Sequence, residues 1–154
     1  MPRRPIRAAA VTAGALLLSG CTLLAPADPR LCAATQNLSA AMALTATAIA
    51  ADDAGDFARA QGLATQARSL TERSLELLQG VPDDRHADDA WQRLLEAYGH
   101  AGQAANSLLP AYADRHGTGP EELALARRSM DAARGDVPAM CFSIPADLET
   151  PGAS

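Results

Sequence analysis

The chain has 154 residues and a net charge of −5, contains no lysine, and is only 3% aromatic, which is the size of one ordinary domain. An acidic chain without a basic stripe repels nucleic acid and anionic lipid headgroups. So few aromatic side chains also leave no stacking platform for bases or sugars.

Taken in order, Arg3, Arg4 and Arg7 precede an apolar run from Ala8 to Leu18, and the small residues Ser19-Gly20 precede Cys21. A run of this length suits a secretory signal and falls short of the roughly twenty apolar residues that a spanning helix needs. Leu18-Ser19-Gly20-Cys21 resembles the lipobox of bacterial lipoproteins. The resemblance implies that the Cys21 sulfur receives a diacylglycerol, that the peptide is cut before it, and that the freed amine is often acylated. It also implies a location at the cell membrane or outer membrane, facing outside the cytoplasm, and Thr22 in place of an aspartate resembles outer-membrane sorting. The alternative for the same residues is an ordinary cleaved signal with a fortuitous cysteine. The Arg3-Arg4 pair faintly resembles a twin-arginine export signal, so the route of export stays open.

The organisation expected is a signal peptide over 1–20, a lipidated tether over 21–28, a helical bundle domain over 29–145 and a flexible tail over 146–154. Three arginines leave with the signal, so the mature domain is more acidic than the whole chain. The tether from Cys21 to Asp28 extends at most about 25 Å, which keeps the domain near the membrane. With Cys21 assigned to lipid, Cys32 and Cys141 remain as an even pair in an oxidising compartment and predict a disulfide. A reactive thiol would need a nearby base, and no histidine neighbours either cysteine in sequence.

Asp28-Pro29 predicts a helix start, with Asp28 as N-cap and Pro29 at the first helical position. Leu31, Thr35, Leu38, Met42, Thr45 and Ile49 then step by four and three along one face of a first helix reaching about Asp52. Asp56 caps a second helix over about Phe57–Gln79, whose inward positions are Phe57, Ala60, Leu63, Ala67, Leu70, Ser74 and Leu77. Gly80 in a left-handed conformation, followed by Pro82, is the expected stop.

A third helix is expected from about Asp83-Asp84, with a seam of Ala87, Trp91, Leu94, Tyr98, Ala101, Ala105, Leu108 and Tyr112, kinked by Pro110 and closed by Gly117. Thr118-Gly119-Pro120-Glu121 has capping-box spacing, and Leu123, Ala126, Met130 and Ala133 form the inward face of a fourth helix. Beyond Gly135, the alternation of Met140, Phe142 and Ile144 with Cys141 and Ser143 predicts an extended tail across the bundle. The fold class is therefore all-α: an up-down-up-down four-helix bundle closed by the Cys32 to Cys141 disulfide, with an extended C-terminal tail. In that topology both cysteines fall at one end.

Ala90-Trp91, Leu94, Ala97-Tyr98 and Gly102 resemble part of a tetratricopeptide repeat, but thirty-four residues downstream of Trp91, Tyr98 and Gly102 stand Leu125, Ala132 and Asp136, so the period fails. His86, His100 and His116 are read as solvent-exposed rather than as metal ligands. Asp83, Asp84, Asp88 and Asp89 lack the loop spacing of a calcium site and suit a helix start. No phosphate-binding glycine loop, nucleophile elbow or His-Glu-x-x-His motif occurs.

The function expected is that of a non-enzymatic scaffold or accessory, without cofactor, that binds another cell-envelope protein. Its other partner is the membrane, through lipid on Cys21. The alternative is a carrier of a small apolar ligand in the bundle core, lined by Met42, Trp91, Leu94, Tyr98 and Met130.

Overall fold

The computed structural model describes residues 28–86 and 88–149, and all regular structure among them is helical. Helix α1 spans Pro29–Asp53 and begins as the sequence predicts. Asp28 accepts the Arg30 backbone N–H at 2.8 Å, and Pro29 opens the first turn. Gly55, at φ 79°, makes the left-handed turn into α2, Phe57–Gln79, where Asp56 accepts the Arg59 N–H at 3.3 Å.

The stop at Gly80 works differently from expectation. Its backbone stays right-handed (φ −79°, ψ −8°), so its lack of a side chain serves a contact instead. The Arg30 stem lies 3.3 Å from where a Cβ would stand, and Arg30 Nη1 donates to the Gly80 carbonyl. The start of α1 is thereby tied to the end of α2.

The third helix is shorter than its seam. Asp83–Arg85 is a separate 3-10 turn, and α3 runs only over Asp89–Asn106. Leu109 is extended (φ −103°, ψ 138°), the conformation that a following proline imposes, and Pro110 opens a second 3-10 turn, Pro110–Arg115. Pro110 thus ends the helix rather than kinking it.

Helix α4 spans Gly119–Ala133. Thr118 occupies its N-cap position with helical backbone (φ −89°, ψ −8°), not the extended backbone on which a capping box depends. After α4 the predicted extended tail gives way to a 3-10 turn, Ala139–Phe142, and a one-turn helix α5, Ala146–Glu149. Cys141 is the buried residue of that turn while Met140 is 75% exposed, the reverse of the alternation expected. The disulfide to Cys32 decides this, since it draws Cys141 inward.

Helix α1 is the central element. It packs most extensively on α2 and also meets α3, α4, the Ala139–Phe142 turn and α5, while α3 packs chiefly on α4. A helix covered on several sides needs apolar residues all round, and α1 has no charged residue from Leu31 to Ala51. The main core joins Leu31, Leu38 and Met42 of α1 to Leu78, Leu94, Leu123 and Met130. Fully buried alanines, such as Ala34, Ala97, Ala104, Ala126 and Ala133, share this core with the larger side chains.

Buried hydroxyls on these faces are satisfied by carbonyls of their own helices. Thr35 donates to Leu31, Thr45 to Ala41 and Ser74 to Leu70, at 2.7, 2.8 and 2.9 Å. Ser74 also faces the Ala34 carbonyl at 3.3 Å, a polar link between α1 and α2. Phe57, expected inward, is 60% exposed because it stands at the first position of α2, beyond the last turn of α1 that could cover it.

Candidate functional site

The candidate lipidation residue, Cys21, lies outside the described residues. Cys32 and Cys141 are bonded, with Cα atoms 4.9 Å apart across 109 residues of sequence. The bond joins the first turn of α1 to the 3-10 turn that follows α4.

The five residues of the carrier reading are brought together, but as core. Leu94 is fully buried, Met42 and Met130 nearly so, and Trp91 and Tyr98 pack against the same cluster. Trp91 reaches this position with its polar edge satisfied, since Nε1 donates to the Leu78 carbonyl at 3.0 Å. His86 stacks on the Trp91 ring at 4.3 Å between centroids. Its Nε2 lies 2.8 Å from the Val81 carbonyl, an acceptor that requires the proton on that nitrogen.

Two of the three histidines therefore depart from the solvent-exposed reading. His86 is engaged as above, and His100 on α3 places Nδ1 2.7 Å from Glu122 Oε2 on α4, both side chains being about one-third exposed or less. A histidine pairing across two helices leaves no periodic signature, so sequence spacing could not find it. His116 is exposed as expected.

Among the described residues, no group of three His, Cys, Asp or Glu side chains is placed to hold a metal ion. Asp88 stands at the N-cap position of α3 and accepts from Arg85 Nε at 2.6 Å. That bond and the Asp88 charge hold the Arg85 guanidinium above its ordinary pKa. Arg68 is likewise raised, first by its hydrogen bond to Glu72 and then by Tyr112, over whose ring it lies at 5.6 Å. Both guanidiniums are therefore fixed cations and not proton carriers.

Sequence reasoning missed a shallow groove of about 330 Å³ on the outer side of α1, lined by Ala40, Ala43, Leu44, Thr47, Ile144 and Leu148. The available signal was the absence of charge along α1, which the core seam alone does not require. Among the described residues no helix is long and apolar enough to cross a membrane. Comparison with protein-family models, curated proteins and solved structures finds no match to the chain.

Proposed function

We propose that the protein is an extracytoplasmic lipoprotein, held at the cell membrane or outer membrane through lipid on Cys21, that acts as a non-enzymatic scaffold or accessory for another cell-envelope protein. In this reading the four long helices run up, down, up and down, so that the tether and the chain's return at Cys141 share one end of the bundle. The observation that carries the reading is the Cys32 to Cys141 bond, because a disulfide closing a whole domain belongs to an oxidising compartment. That is the compartment to which the basic start, apolar run and Leu18-Ser19-Gly20-Cys21 sequence would deliver it.

The core packing favours a scaffold over a carrier. The side chains that a ligand would have to displace, Leu94 and Met130 among them, are buried against one another in the main core. A protein that works through its surface needs its fold held rigidly and its location fixed, and a disulfide and a short anchor supply those two things.

The test is cross-linking in intact cells, followed by identification of neighbours that recur across cross-linkers of different length. A recurrent envelope protein is expected; recovery of none would overturn the scaffold reading. Intact-mass measurement of the purified protein checks the anchor separately, as a mature chain beginning at Cys21 and carrying diacylglycerol.

A further inference from the structure

We infer that the exposed turn Pro138-Ala139-Met140 is a membrane-contact element that seats the disulfide end of the bundle on the bilayer holding the anchor. The inference rests on the lipoprotein reading and adds an orientation to it.

Two large hydrophobic side chains stand out in the described residues as exposed, Met140 at 75% and Phe57 at 60%. They lie in opposite parts of the fold. Met140 adjoins Cys141, whose Cα is 4.9 Å from that of Cys32, and Cys32 is one helical turn from Asp28. With about 5.4 Å for the turn and about 3.8 Å for the neighbouring Cα, Met140 lies within roughly 15 Å of the point where the tether leaves α1. Phe57 follows the far end of α1, a helix of 25 residues and hence about 37 Å long.

The chain between Cys21 and Asp28 reaches at most about 25 Å. A lipid on Cys21 therefore keeps the tether exit near the bilayer, with Met140 closer to it than Phe57 whenever the bundle stands on that end. Pro138 and Ala139, the residues before Met140, are also exposed, so three consecutive apolar residues project from the fold beside the tether exit. The 3-10 turn is held in place by the disulfide, which keeps Met140 outward while Cys141 is 1% exposed. The cations beside the turn are already engaged, Arg134 over the Phe142 ring with Asp131 and Arg30 with the Gly80 carbonyl, so contact with lipid is assigned to the apolar side chains.

The test uses the full lipidated protein in vesicles of phosphatidylethanolamine and phosphatidylglycerol, with and without bromine on the acyl chains. Met140→Trp and Phe57→Trp are each compared with the unsubstituted protein, whose Trp91 gives the background. Insertion to about 5–10 Å predicts an approximately twofold loss of the added emission for Met140→Trp in brominated vesicles, and none for Phe57→Trp. Equal behaviour of the two variants on a protein shown by mass to be lipidated would overturn the inference and leave the lipoprotein reading standing. Blue-shifted Met140→Trp emission without bromine quenching would also overturn it, and would mean that protein rather than lipid covers the turn. A mature chain without lipid on Cys21 would remove both together. In each variant an intact mass two hydrogens below its own reduced value shows the Cys32 to Cys141 bond, and a helical circular-dichroism spectrum and unfolding midpoint matching the parent show that the fold is kept.

Discussion

The two ends of the bundle are held by different means. Where the chain enters, residues distant in sequence must be joined: Cys32 bonds Cys141, Arg30 reaches the Gly80 carbonyl, and Trp91 donates to Leu78. At the opposite end the connections are local, and small residues do the joining. Gly55 turns α1 into α2, Gly117 at φ 92° precedes α4, and Gly119 lets the start of α4 approach the end of α3. Closing a long loop costs chain entropy that a covalent bond offsets, whereas a local turn needs only a backbone free of Cβ strain. Specific bonds therefore gather at one end and steric fit at the other.

The largest expected effect breaks the first end. Replacing both cysteines, Cys32→Ser with Cys141→Ser, is expected to lower stability by about 2–5 kcal/mol in denaturant unfolding. Reduction of the unsubstituted protein should reproduce most of that loss, and a difference below about 1 kcal/mol would mean that the bond is incidental to the fold.

The second effect breaks the other end. A Cβ on Gly119 would stand 2.6 Å from Ser107 Oγ and 3.6 Å from the Ala104 carbonyl, and Ser107 is 1% exposed, bonding Ala104 at 2.7 Å. Gly119→Ala is expected to cost about 1–3 kcal/mol through overpacking. Ser107→Ala in the same chain should recover part of the loss in a double-mutant cycle, and strict additivity would place the strain elsewhere.

Smaller changes sharpen the comparison. Gly55→Ala puts a side chain at φ 79°, where nothing lies within 4 Å of the new Cβ, so only the backbone conformation is penalised, by about 1–2 kcal/mol. The smallest effect concerns the helix pair between the ends. His100→Ala is expected to cost about 0.5–1 kcal/mol, and Glu122→Gln should match it if the α3 to α4 contact is one unit.

Most of α1 and α2 was legible because punctuation and periodicity agree there: Asp28-Pro29, the Gly55 turn with Asp56, and Gly80 before Pro82 all mark true boundaries. In α3 the two signals diverge. Leu108 is 7% exposed and Tyr112 half-buried, so the seam continues after the helix has ended at Asn106. Inward spacing reports burial and not backbone, and Pro110 was the better guide.

The same distinction explains Phe57, a seam position at a helix start with no neighbour to cover it. It also explains Met140 and Cys141, whose facing is set by a bond from elsewhere in the chain. The disulfide was legible from cysteine count and compartment. The groove beside Leu44 was not, because Ile144 and Leu148 come to it through a tail whose path no local pattern specifies.

Cys32 and Cys141, 109 positions apart, close a covalent ring that includes every long helix except the first residues of α1. A ring tolerates one cut. If a protease opened the turn at Gly55 or at Gly117, both products would stay joined through the sulfurs, and the intact hydrophobic contacts would still hold α1 against its neighbours. On a gel the nicked chain would run as one species until a reductant was added. The bond thus makes the domain's continuity a property of two sulfur atoms as well as of its peptide backbone.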